Sequence, residues 1–389
     1  MKRRILGLAL ALCLIVGLLP MAVWAEENQS TGALNLLSVV VGANDQGDEH
    51  PDGSTTWKAD LDSVQYGKTA ADGKSISWDG TEGDYNIKIE QTTNGLEITL
   101  NGAKLTRTKS LLIGMTINYD GAVTINLIGE NVIDYDIDVP AGSVDENNQV
   151  NALAAIYVKA TKCTITGTGS LTAKADGMAG KGAGSVIDLD GDTGNESKTA
   201  EVLGSVIEAD CDLTIKETTL DLDQVYSGGR TPYGNHGIRC SGNLTIDNAD
   251  VNIYAQYGAA IKLSTSRKDA TLVANKDLTI TNGSKVTVEA NEPALKVGTG
   301  SLVFDTANAT EITIKNTYRP FNKTPVINGK YEAYYSNSKD GTDLKAYTDD
   351  PAGGVATSST THPNYLYFQF KHACNASADD HDCTTVENC

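Results

Sequence analysis

The sequence predicts an all-β chain wound as a right-handed parallel β-helix, a solenoid closed at both ends by capping regions. Three observations carry that prediction. First, four stretches repeat one string: Cys163-Thr-Ile-Thr-Gly, Leu213-Thr-Ile-Lys-Glu, Leu244-Thr-Ile-Asp-Asn and Leu278-Thr-Ile-Thr-Asn. Second, the best-defined copy begins at Gly237 and runs to Gly258, and the next begins at once, so Ile238 and Ile261 stand 23 residues apart. Third, apolar residues inside that copy alternate with polar ones, which is the signature of strands buried on one face.

Each element of the coil follows from its residues. Ile238 and Cys240, Leu244 and Ile246, and Val251 and Ile253 mark three short strands. Between them lie Ser241-Gly242-Asn243, Asp247 to Asp250 and Gln256-Tyr257-Gly258, rich in residues that accept turn or left-handed backbone. One coil cannot bury its apolar face alone. The fold therefore requires stacked rungs about 4.8 Å apart, with backbone hydrogen bonds running from coil to coil.

Taking Ile156, Ile207, Ile238, Ile261 and Leu295 as equivalent leading residues gives separations of 51, 31, 23 and 34 residues. The excesses place insertions at about Gly177 to Leu203, at Ser227 to Asn235 and within Ser264 to Asn275. Insertions in solenoids map to surface loops, often on the functional side. Weaker rungs are expected at Leu96-Glu-Ile-Thr-Leu, Val123-Thr-Ile-Asn-Leu, Leu302-Val-Phe304 and Ile312-Thr-Ile314.

The chain divides into a signal peptide (1–25), an N-terminal β-rich cap (26–90) carrying Trp57 and Trp78, the β-helix (91–316), a Tyr-rich C-terminal β cap (317–371) and a tail (372–389). Lys2, Arg3 and Arg4 precede an apolar run from Ile5 to Leu19 and a small-residue site at Val23-Trp-Ala25, the layout of a secretory signal. A retained anchor is the alternative, against which the shortness of the run counts. The expected location is outside the cell or on its surface, as a monomer.

Cleavage would remove three basic residues and no acidic ones, leaving 28 Lys plus Arg against 50 Asp plus Glu, a net charge of −22. Nucleic acid is not an expected partner, because phosphate backbones demand a basic patch and the longest basic cluster here is Arg267-Lys268. Among the cysteines, Cys163 occupies the place of Leu213 and Leu244, and Cys240 that of Ala209, so both should point inward as small apolar fillers. Cys211 falls at a turn beside Gly242, and no structural disulfide is expected in the solenoid.

Two surfaces suggest ligands. Asp188, Asp190 and Asp192 alternate with a glycine between the last two, as oxygen ligands do in calcium loops, although Thr193 and Thr199 depart from the EF-hand pattern. A solvated acidic loop is the alternative. Tyr226, Arg230, Tyr233, His236, Arg239, Tyr254 and Tyr257 gather within one and a half coils, and sugar sites combine such aromatic faces with hydrogen-bonding groups. By the strand alternation, Arg239 and Tyr254 should face outward. Scattered surface tyrosines are the alternative.

Catalytic constellations fit less well. Asn235-His-Gly-Ile-Arg239 resembles the Gly-His-Gly motif of pectin hydrolases, but Asn235 replaces its first glycine and no paired Asp-Asp precedes it. Asp221 and Asp223 are the nearest carboxylate pair, and their alternation with Leu220 and Leu222 is that of an ordinary outward strand face. Arg230-Thr-Pro-Tyr233 resembles the start of the pectate lyase Arg-x-Pro-x-x-Arg motif, yet Asn235 stands where its second arginine belongs. A divergent lyase or hydrolase stays open as a reading.

The rung pattern from Gly237 to Lys262 (aliphatic-x-aliphatic, turn, Leu-Thr-Ile, turn, Val-x-Ile) resembles the secreted bacterial carbohydrate-binding parallel β-helix family, over about Asn94 to Asn316. That resemblance implies a non-catalytic protein that binds acidic, pectin-like polysaccharide with calcium assistance. A surface adhesin or stalk without glycan specificity is the other reading. The tail, with His372-Ala-Cys374, Asp380-His-Asp-Cys383 and Cys389, resembles the start of a Cys/His-rich repeat of Gram-positive surface proteins, which would hold a metal or a disulfide.

Overall fold

The computed structural model describes residues 38–44, 54–58, 62–106, 115–135, 154–176, 205–225, 236–255, 261–263, 276–290, 294–305, 309–315, 320–346 and 367–373. All of them fall in one compact unit, Leu36–Val186 with Ser197–Cys389. The signal peptide, the insertion at 177–203 and the Cys/His tail lie outside the described residues.

Every described element is a strand or a turn, and the strands form sheets of eight, ten and eleven members. Through the middle of each sheet the strands run parallel, and each pairs with the strand three elements further on, so the chain visits the three sheets in rotation. This is the connectivity of a β-solenoid. Among the described residues no helix is long and apolar enough to cross a membrane.

The register agrees with the repeat read from the sequence. Ile156, Ile207, Ile238, Ile261 and Leu295 are successive partners in the eight-stranded sheet, and Met115 extends the row upstream. In the eleven-stranded sheet the row is Leu96, Val123, Cys163, Leu213, Leu244, Leu278 and Leu302. Residues such as Ile165, Ile215, Ile246 and Ile280 in the next inward row are fully buried. Burying a side chain of this size is worth roughly 1.5–3 kcal/mol, so the stack is held by apolar columns. Between the two rows stands an outward column, Thr124, Thr164, Thr214, Thr245 and Thr279, each half-buried. A β-branched hydroxyl residue suits such a face, and directly adjacent threonines support one another. The repeated Leu-Thr-Ile is thus one outward column between two inward ones.

Cys163, Cys211 and Cys240 are buried and free. Cys163 lies in register with Leu213 and Cys240 with Ala209, while Cys240 Sγ donates to the Cys211 carbonyl at 3.0 Å. Burial pushes the Cys211 and Cys240 thiols up to about 12 from an ordinary 9.0, and holds that of Cys163 well above it.

Where the chain passes from the eleven-stranded to the ten-stranded sheet, successive coils take positive φ at Gly167 (128°), Glu217 (53°), Asn248 (49°) and Asn282 with Gly283 (53° and 77°). A Cβ on Gly167 would lie 2.2 Å from the Leu127 carbonyl oxygen, so the next coil presses directly on its backbone. Small buried polar side chains tie these corners together. Thr218 Oγ1 donates to the Gly169 carbonyl at 2.9 Å, and Ser284 Oγ donates to the Ile246 carbonyl at 3.1 Å. Earlier in the stack Asn131, 1 % exposed, accepts from the Ala103 amide at 2.8 Å and donates to the Ser170 carbonyl at 3.1 Å. Buried backbone groups that turns leave without a ladder partner require such substitutes.

Both ends of the sheets change direction. Ser38–Asn44 pairs antiparallel with Met115–Asn118, and Ile87–Thr92 pairs antiparallel with Gly95–Asn101. At the other end Tyr367–His372 pairs antiparallel with Glu311–Lys315 and with Tyr331–Ser336. Phe304, Phe321 and Phe370 pack there with ring centroids 5.5–5.7 Å apart, a cluster that fills the last coil.

Candidate functional site

The predicted ligand residues divide unequally. Tyr226, Arg230, Tyr233 and Tyr257, and the acidic string Asp188, Asp190 and Asp192, lie outside the described residues. His236 and Arg239 stand on the strand His236–Cys240 of the eight-stranded sheet, and Tyr254 on Asp250–Ala255 of the ten-stranded sheet. The three do not share a sheet face.

Two of them correct the expectation of an open surface cluster. His236 shares the inward parity of Ile238 and Cys240 and is 2 % exposed. Arg239 does alternate outward, but it is 4 % exposed, and its Nη1 donates to Glu208 Oε1 at 3.2 Å. The physical reason is register. Glu208 is the direct partner of Arg239 one coil earlier, so the guanidinium meets a carboxylate across the rung and is neutralised there. Thr116 and Tyr157 continue the same outward column and are also buried, with Tyr157 Oη donating to Asp210 Oδ2 at 2.8 Å.

Tyr254 behaves as expected. It is 39 % exposed, between buried Ile253 and Ala255, on the outward face of the ten-stranded sheet. Register sets Asp223 beside it on one side and Glu289 on the other. Two residues back along the strands, Asn252 Nδ2 donates to Asp221 Oδ1 at 3.0 Å across one coil. The outward column through the exposed phenol ring thus runs Lys174, Asp223, Tyr254, Glu289 and Lys315, a carboxylate on either side and a lysine beyond each. An exposed aromatic ring flanked by hydrogen-bonding groups has the chemistry that suits the apolar face and the hydroxyls of a sugar.

Asp223, Asn252 and Glu289 were not among the residues singled out from the sequence as ligands. Their signal was present in the coil register, because Asp223 precedes Tyr254 by 31 residues and Glu289 follows it by 35. Among the described residues no three His, Cys, Asp or Glu side chains converge tightly enough to hold a metal ion.

Fold and surface together define a β-solenoid with parallel strands and an exposed tyrosine set among acidic side chains. Comparison with known proteins carries this no further: no family model, no curated protein and no solved structure matches the chain.

Proposed function

We propose that this is an extracellular, non-catalytic polysaccharide-binding protein that takes acidic, pectin-like glycans with the assistance of calcium. In this reading the residues 1–25 direct export, the solenoid is right-handed, and the antiparallel strands at its two ends act as caps. The observation that carries the reading is Tyr254, half-exposed on a flat sheet face between Asp223 and Glu289.

Calcium enters through charge. A carboxylated sugar stacked on Tyr254 would meet Asp223 and Glu289 first, each with a lysine, Lys174 and Lys315, on its far side, and the nearer like charges repel. A hard divalent cation with oxygen ligands relieves that repulsion by bridging protein and sugar carboxylates. Protein oxygens from this face would supply part of such a shell, and sugar and water oxygens the rest.

A glycan array read in calcium and again in chelator tests the proposal. The expected result is retention of polygalacturonate in calcium, lost in chelator and weakened by Tyr254→Ala. No glycan signal in either condition would leave only a scaffold role. Incubation with polygalacturonate, followed by absorbance of unsaturated product and by reducing ends, separates binding from catalysis. Turnover abolished by Arg230→Ala would replace this reading with a lyase.

A further inference from the structure

The corner between the eleven- and ten-stranded sheets carries an open trough of about 410 Å³. Its lining comes from four successive coils: Gly167 to Gly169, Glu217 to Thr219, Asn248 to Asp250, and Gly283 with Lys285. Three rung spacings of about 4.8 Å make it roughly 14 Å long, and its volume lies within the roughly 300–1,000 Å³ of small-molecule sites.

The trough has a structural origin. Each coil turns this corner through a left-handed residue, and because the coils stack in register the recess of one continues into the next. Glycine keeps part of the floor bare. A Cβ on Gly169 would lie 2.4 Å from the Gly129 carbonyl oxygen, so only backbone fits there. The walls are mostly polar side chains, and the one residue of the lining with a wholly apolar side chain, Ala249, is 4 % exposed.

Two properties of the lining select a ligand. The walls mix donors and acceptors, since Lys285 and the Asn248 amide donate while Glu217, Asp250 and the threonine hydroxyls accept. A ligand that satisfies both on every side is a polyol. Cations also stand beside the carboxylates: Lys285 lies in register between Asp250 and Glu311, and Lys216 Nζ lies 3.4 Å from Glu217 Oε1. Hydrogen bonding rather than net charge is what such a lining offers a ligand.

We propose that this trough is a second saccharide site, one that takes an uncharged stretch of sugar chain lying along the stack. It rests on the polysaccharide-binding reading above but uses different residues and needs no cation. The trough is continuous with the Tyr254 face, because Asp250 begins the strand that carries Tyr254. Four residues at about 3.3 Å each separate the two by about 13 Å, so one branched or mixed glycan could occupy both.

The test uses the full chain, Thr219→Trp and Asn248→Gly on an array of uncharged glucans, galactans, mannans and xylans beside polygalacturonate, in calcium and in chelator. Thr219 is half-buried at the start of an outward strand column, where tryptophan suits the strand and fills the trough. Asn248→Gly keeps the left-handed corner and removes only the amide. The expected result is binding of an uncharged glycan that survives chelator, falls at least tenfold in Thr219→Trp and falls measurably in Asn248→Gly, with unchanged thermal melts.

Binding that is indifferent to both substitutions overturns the trough, as does the absence of any uncharged ligand. Retention of polygalacturonate alone would overturn the trough and leave the calcium-assisted reading standing. The converse pattern, an uncharged glycan bound and polygalacturonate refused, would keep the trough and remove the acidic specificity. Should Thr219→Trp lower the melting temperature, the Asn248→Gly result decides.

Discussion

Removing either partner of the Arg239–Glu208 pair should destabilise the solenoid strongly, whereas replacing both should not. The side chains are 5 % and 4 % exposed, and the charged atoms stand 3.2 Å apart. At an effective dielectric of about 20 the Coulomb attraction at that separation is roughly 5 kcal/mol, against a desolvation cost of several kcal/mol for each ion. Arg239→Ala removes the cation that neutralises a buried carboxylate and Glu208→Ala the anion that neutralises a buried guanidinium, so each should cost about 3–5 kcal/mol. The double variant Glu208→Leu with Arg239→Met buries apolar groups of similar length and should fall within about 1 kcal/mol of the parent or above it. Urea unfolding followed by far-ultraviolet circular dichroism gives the midpoints of the parent, the two single variants and the double variant, with an unchanged slope as the check that the same surface unfolds. Single substitutions that each cost less than about 1 kcal/mol would refute the argument, because they would mean the pair is solvated in solution.

Four further outcomes follow from the same structure. Cys163, Cys211 and Cys240 should resist an aromatic disulfide reagent at pH 8 in the native protein and react in denaturant, since burial keeps them protonated. Their folded-state pKa values exceed the ordinary 9.0, so the native state holds more protons above that pH; stability should fall as pH rises from 9 toward 12, and thermal melts across that range measure it. Glu217 occupies left-handed backbone at φ 53°, so Glu217→Gly should stabilise by roughly 1 kcal/mol and Glu217→Val destabilise by at least as much, read from urea midpoints. Tyr254→Ala should weaken glycan binding about tenfold, near 1.4 kcal/mol, without moving the melting temperature, because the ring is half-exposed.

The fold was legible because the core of a solenoid repeats. Ile207, Ile238 and Ile261 must each meet the one before, and the alternating strands around them leave a single register that buries every apolar column. Segments of variable length do not disturb that register, since residues 177–204, 226–235 and 256–260 all connect the ten-stranded sheet to the eight-stranded one. Cys163 and Cys240 could be placed for the same reason. The left-handed corners were only half legible. Asn248 and Asn282 are residues that turns favour, whereas Glu217 has no such preference and is held at positive φ by the coils stacked on either side.

The candidate site was harder to read because the sequence groups residues by proximity and the solenoid groups them by register. His236, Arg239 and Tyr254 lie within 19 residues of one another, yet they fall on two sheets, and Arg239 answers to Glu208 rather than to any sugar. Outward residues on the ten-stranded sheet, unlike the threonine column of the eleven-stranded one, do not repeat from coil to coil. Asp223, Tyr254 and Glu289 are dissimilar, so nothing in their chemistry betrays that they are neighbours. Register supplies the missing step. Around Tyr254 the outward column runs Lys174, Asp223, Tyr254, Glu289 and Lys315, so the ring stands between two carboxylates with a lysine beyond each, whereas at the trough Lys285 stands between Asp250 and Glu311. In the proposed reading a carboxylated glycan stacked on the ring meets the two nearer carboxylates and is bridged to them by a cation, and an uncharged one at the trough needs none. The response to chelator therefore reports which of two surfaces, about 13 Å apart on the same strands, a given glycan occupies.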